Sequence, residues 1–129
     1  MTRLLLDTHA ALFWWANSSE LGLAARDAIA DDASTIFLSA ATAWEIATKV
    51  RIGKLAFTGN AELRMPSLMM RDGFEPLPIT PHHALRAGSL DGSHRDPFDR
   101  LIAAQAMIED LIVVTRDPEI GAFGCETLW

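Results

Sequence analysis

Cysteine is almost missing from these 129 residues: Cys125 stands alone. One cysteine excludes an internal disulfide framework and any cysteine-built zinc site. Long hydrophobic runs are missing too. Arg3 is followed by Leu4, Leu5 and Leu6 before Asp7 breaks the run, too short for the apolar core of a secretory signal. The apolar stretch 10–16 falls far below the roughly 20 residues that span a bilayer. The expectation is a cytoplasmic protein with no membrane partner. Basic charge is also scarce, with 11 Lys and Arg against 17 acids and a net charge of −6. That argues against a general nucleic-acid binder, which would be basic. It leaves room for an acidic site that needs cations, since two bound divalent ions would bring the charge to about −2.

The remaining composition is ordinary for a globular chain, with half the residues hydrophobic and 22% charged. The length predicts one domain, 1–129, without a linker. Residues 3–7 are a short apolar run ending in an acid, which suits a strand buried on both faces. Thr8 is positioned to cap a helix over 9–16, and 21–32 has helical spacing. A second strand is expected at 35–38, then a helix over 40–52 capped by Ser39 and ended by Gly53. The segment 60–71 looks helical, kinked or split at Pro66. A weak strand at 74–79 carries two prolines, which place it at an edge. Thr80 and Pro81 open a helix to about 87, and 90–95 is a polar loop. Asp96 and Pro97 start a long helix to 110. Strands at 112–114 and 126–128 complete the pattern. Strands alternating with helices predict an α/β fold with a mostly parallel sheet.

In such sheets ligands sit at the carboxyl ends of the strands. Asp7 ends the first strand, and Asp117 follows the strand at 112–115 by two residues, so both should reach one rim. Either acid could equally be a strand-ending or helix-starting Asp. Glu45 lies on a helix that is apolar on nearly every face and so reads as buried. A buried Glu needs a partner: a cation, or a salt bridge to Lys49 at i,i+4. Asp99 shares a helix face with Ala103 and Ala106, whose small side chains would leave space beside it; it is also a first-turn acid favoured by the helix dipole. Asp96 reads first as the N-cap. Acids gathered at one rim repel, by up to roughly 4 kcal/mol for a pair at 4 Å. They must take up protons or hold a divalent ion, and an all-oxygen set selects Mg²⁺ or Mn²⁺.

Four segments carry a resemblance: Leu5-Leu6-Asp7-Thr8-His9, Trp44-Glu45-Ile46, residues 94–106 (HRDPFDRLIAAQA) and Val114-Thr115-Arg116-Asp117. In this order they resemble the PIN-domain family, and within it the VapC-type toxin ribonucleases. The resemblance covers essentially the whole chain, and the Asp99 segment is its most specific part. It implies a PIN-like parallel sheet flanked by helices and Mg²⁺- or Mn²⁺-dependent endonucleolytic cleavage of RNA, leaving a 5′-phosphate and a 3′-hydroxyl. By position, the acids of the family fall on Asp7, Glu45, Asp99 and Asp117, with Thr115 at a small hydroxyl position that supports the cluster and with Asp96, an extra acid, and Thr8 near the site. The resemblance further implies a homodimer silenced by a VapB-like antitoxin. Arg95, Arg100 and Arg116 adjoin the acids in sequence. They either contact RNA phosphates or pair with neighbouring acids.

Other readings compete. His9, His82, His83 and His94 could support metal-free acid–base cleavage of RNA, though His82 and His83, at a helix start, read as surface residues. A phosphoaspartate hydrolase wants a second acid where His9 stands. A receiver domain wants a lysine near the last strand, yet the last lysine is Lys54. An acidic interaction module, or a PIN-like protein without activity, would keep these acids as structural groups. Trp14, Trp15, Leu68, Met69 and Met70 belong to the core or to an apolar interface.

Overall fold

A computed structural model describes residues 2–129; Met1, first residue of the expected domain, lies outside them. Five strands form one sheet in the order β3-β2-β1-β4-β5, and every pairing is parallel. β1 (Arg3–Leu6) lies at the centre, between β2 (Thr35–Ser39) and β4 (Ile112–Val114). β3 (Glu75–Leu77) and β5 (Thr127–Leu128) are the edges. Pro76 and Pro78 fit the edge position of β3, where a missing N–H costs no ladder bond on the open side.

Parallel strands need crossovers, and seven helices supply them. α1 (Thr8–Trp15) and α2 (Leu23–Ala30) join β1 to β2, and α3 (Ala40–Arg51) and α4 (Ala61–Asp72) join β2 to β3. α5 (Pro81–Ser89) and α6 (Pro97–Glu109) carry the chain across to β4, and the short α7 (Pro118–Gly121) leads to β5. The two-residue period of β1 divides the core. Leu4 and Leu6 pack with Ala11, Ile29 and Ile46, on the side of α1 to α4. Leu5 and Val113 face Ile102, Ala103 and Ile120, on the side of α6 and α7.

Several expectations change. Asp7, not Thr8, caps α1, its carboxylate accepting from the Ala10 N–H at 2.8 Å, and Thr8 opens the helix. Pro66 does not split α4; the helix runs on through it, because the proline removes one i→i−4 bond on an exposed turn. α2 starts later than expected, after Gly22. A β-carbon at Gly22 would meet the Trp129 backbone at 2.6 Å, so this close approach demands glycine. α3 is not buried all round. Trp44 is 59% exposed, and Ala40, Ala43 and Ala47 face solvent, while Glu45 and Ile46 face inward. Alanine is tolerated on either side, so an alanine-rich helix does not reveal its buried face. His83 is buried rather than at the surface; its Nδ1 accepts from the Thr80 N–H and its Nε2 pairs with Glu109 at 2.9 Å.

Candidate metal centre

After β1 the chain turns to one side of the sheet for β2, and later crosses to the other for β4. The crevice at the carboxyl ends of β1 and β4 is therefore the point where the topology switches, the usual ligand position in such sheets. Asp7 follows β1 directly, while Thr115 and Asp117 follow β4. Three helices start at this rim or beside it with acids as their N-caps: Asp7 on α1, Asp96 on α6 and Asp117 on α7. Helix N-termini present free N–H groups and positive dipole ends, which favours carboxylates there.

The carboxylates form an electrostatic group. Burial pushes Asp7 above the usual carboxylate range, although the Thr115 hydroxyl, the Ala10 N–H and nearby His9 favour its charged form; Asp117 adds repulsion. The Thr115 oxygen also accepts from the Asp117 N–H at 3.0 Å, so one hydroxyl ties the ends of β1 and β4 together. Asp99 is raised to about 6, first by burial and then by Asp96 and Asp117; its hydrogen bond with His94 opposes the rise. Asp117 thus acts on both Asp7 and Asp99.

Glu45 sits apart from this group. Its carboxylate accepts from the Thr8 hydroxyl at 2.6 Å and pairs with Lys49 Nζ at 2.8 Å, so the i,i+4 bridge to Lys49 does form. Thr8 connects it to the helix that Asp7 caps. Ala103 and Ala106 are both buried in the core, packed with Leu5 and Val113 of the sheet.

His94 was not singled out as part of this site, yet it is central. Its Nε2 lies 2.8 Å from Asp99 Oδ2 and its Nδ1 2.5 Å from Glu119 Oε2. These acids, Asp99 foremost, hold its pKa above the usual imidazole value. Among the described residues, two groups have donor atoms all within 4.8 Å of one another: His94 with Asp96 and Asp99, and His94 with Asp117 and Glu119. The sequence signal was present, since His94 opens the segment that contains Asp99. Glu119 gave no signal beyond standing two residues after Asp117.

The three arginines divide. Arg100 is used internally, its guanidinium donating to the backbone carbonyls of Ala87, Leu90 and His94, which pins the 90–95 loop to α6. Arg116 reaches Glu20 at 3.3 Å and lies over the rings of Phe13 and Trp129. Arg95 is exposed, and its side chain has no hydrogen bond or ion pair among the described residues.

Comparison with known proteins now gives the class. The PIN-domain family model matches residues 4–124, and the chain belongs to that family. Ribonuclease VapC22 of Mycobacterium tuberculosis (strain ATCC 25618 / H37Rv) is 34% identical over 122 residues, covering 91% of this chain and 88% of the relative. Two solved structures share the fold at low identity. VapBC2 from Rickettsia felis, bound to a DNA fragment from its promoter, has a TM-score of 0.71 at 15% identity and covers 98% of each chain. FitAcB from Neisseria gonorrhoeae has a TM-score of 0.68 at 23% identity, over 98% of this chain and 96% of that one. The parallel α/β architecture expected from the sequence is thus the one observed. Among the described residues, no helix is long and apolar enough to cross a membrane.

Proposed function

We propose that this chain is a divalent-metal-dependent endoribonuclease, the cytoplasmic toxin of a toxin–antitoxin pair. The observation that carries the reading is the carboxylate set at the switch point of the sheet, in which Asp117 repels both Asp7 and Asp99 and Asp99 is raised to about 6. Such a set suits a hard divalent cation, because oxygen donors and uncompensated negative charge are what Mg²⁺ and Mn²⁺ require. Asp7, Asp99 and Asp117 would hold the ion, and Glu45 would complete the acid set from α3. A bound ion supplies charge neutralisation at the phosphate and lowers the pKa of water.

The chain's own groups do the positioning. Thr115 fixes Asp7 and Asp117 relative to each other, and Thr8 and Lys49 hold the Glu45 carboxylate in one orientation. Asp96 fixes the first turn of α6 and so aims Asp99. His94 shares a hydrogen bond with Asp99, and the acids around it favour its charged form. Of the three arginines, Arg95 and Arg116 are the ones able to reach an RNA phosphate, since Arg100 is spent on carbonyls.

The partners follow from relatives. The 34% identical relative is called a ribonuclease, and solved structures of similar fold include a toxin–antitoxin complex from Klebsiella pneumoniae and VapBC-1 from nontypeable Haemophilus influenzae. These support a VapB-like antitoxin as partner; the homodimeric toxin is proposed on the resemblance to the VapC type alone. The test is cleavage of single-stranded RNA in Mn²⁺. Asp99→Asn should lower the rate by on the order of a hundredfold or more, since the ion's charge is worth several kcal/mol in the transition state. Chelator should abolish cleavage by the native protein. Equal rates for native protein and Asp99→Asn would leave the acids as structural groups.

A further inference from the structure

Beside the acid rim lies a cleft of about 420 Å³, bounded by α1, the end of α3, the loop 52–60 and α4. Its charge is opposite to that of the molecule. The chain carries 17 acids against 11 cations, yet no acid lines the cleft, while Lys49, Lys54, Arg64 and Arg71 all do. Both lysines of the chain are therefore here. Lys49 is bound to Glu45 and Arg71 to Asp72, whereas the exposed side chains of Lys54 and Arg64 have no hydrogen bond or ion pair among the described residues.

Between the cations the lining is aromatic. His9 and Phe13 stack as a tilted pair at 5.9 Å on one side, and Phe57, edge-on to Trp15 at 6.4 Å, comes from the loop. Two residues of the cleft also act on the predicted acids. His9 is two residues from Asp7 and acts on its carboxylate, and Lys49 holds Glu45.

We propose that this cleft docks the single-stranded RNA, taking an unpaired base against the His9, Phe13 and Phe57 rings with the flanking phosphates on Lys54 and Arg64. Cations interleaved with ring faces are what a single strand needs, since every base has a face to stack and every nucleotide a charge to neutralise. An acid-free cleft in an acidic chain favours an anionic occupant over a purely apolar one. The inference deepens the ribonuclease reading and rests on it for the destination of the strand.

The test reads binding rather than cleavage. A fluorescein-labelled single-stranded RNA of about a dozen nucleotides is titrated by anisotropy into Asp99→Asn protein with Mg²⁺, at several salt concentrations. Adding Lys54→Glu and Arg64→Glu should weaken binding at least about tenfold, and should flatten the log–log salt slope by about 1.4, or 0.7 per lost phosphate contact. Phe57→Ala should weaken binding about tenfold at unchanged slope. Arg86→Glu, on exposed α5, should change neither. All four side chains are exposed or half-buried, and a melting curve of each variant checks that it folds.

Unchanged RNA affinity in the Lys54→Glu, Arg64→Glu protein overturns the proposal, and so does an Asp99→Asn protein that binds no RNA. If those charge reversals spare RNA binding but free the toxin from a co-expressed antitoxin, the cleft is a protein-docking groove and the proposal is wrong. The two readings fail separately. A native protein that cleaves RNA regardless of the cleft variants loses only the docking site. One that binds RNA through the cleft without cleaving it loses only the nuclease assignment.

Discussion

Helix α6 runs between two polar clusters that are assembled in opposite ways. In its first turn, Asp99 is half-buried among Asp96 and Asp117, and burial with like charge drives its pKa to about 6. Two turns later, Gln105 is fully buried and fully engaged. Its amide oxygen accepts from the Ser39 hydroxyl at 2.5 Å, and its nitrogen donates to the Pro78 carbonyl at 3.2 Å. Beside it, buried His83 accepts from the Thr80 N–H and pairs with Glu109. One cluster satisfies its groups with complementary partners; the other sets like charges together. Partner matching stabilises a fold, whereas gathered carboxylates raise its free energy until something positive binds. The contrast separates a cluster built for the fold from the candidate metal centre on the same helix.

The largest expected effect breaks the satisfied cluster. Gln105→Leu keeps the approximate volume but leaves the Ser39 hydroxyl and the Pro78 carbonyl without their partner. It should lower stability by about 2–3 kcal/mol, a fall in Tm of roughly 8–12 °C in a chain of this size. Metal should have no bearing on that loss. The acid rim should respond in the opposite sense. Native protein should gain stability with Mn²⁺ by mass action, about 2.7 kcal/mol at a concentration a hundredfold above Kd. A Gln105→Leu protein at its native Tm, or a native protein indifferent to Mn²⁺, would erase the contrast.

Why one cluster was legible in the sequence and the other was not follows from chemistry. Asp7 and Asp117 stand just past strands of a parallel sheet, so periodicity alone brings them to one rim. Asp99 was visible through its segment. The satisfied cluster left no such trace. His83 looks like a surface residue after Pro81, and its burial depends on Glu109 and Thr80, met only once α5 packs on α6. Arg100 read equally as a phosphate ligand, because nothing local announces that three carbonyls of the 87–94 stretch turn toward it. His94 was overlooked at the site for a related reason: a histidine before an acidic segment gains meaning when α7 brings Glu119 to its other nitrogen. The burial of α3 was overstated since alanine fits either face, and Trp44 is left at the surface against Phe98.

The smallest effect is the most discriminating, because its sign is unusual. Asp99 has a folded pKa near 6, above the usual carboxylate value of 3.8. The native state therefore binds more protons than the unfolded state between those values, and the stability tied to this group falls as pH rises from about 4 to about 6. At neutral pH the full penalty is present, at most roughly 3 kcal/mol for a rise of that size. Asp99→Asn removes the charge but keeps the shape, and weakens the bond to His94. The net expectation in chelator at pH 7.5 is a variant about 1–2 kcal/mol more stable than native protein. At pH 4.5 the advantage should vanish, since native Asp99 is then protonated. Adding Mn²⁺ at pH 7.5 should reverse the order, because only the native protein keeps the third carboxylate. A variant that melts lower in chelator at both pH values would place Asp99 with Gln105, as a group held for the fold and not for an ion.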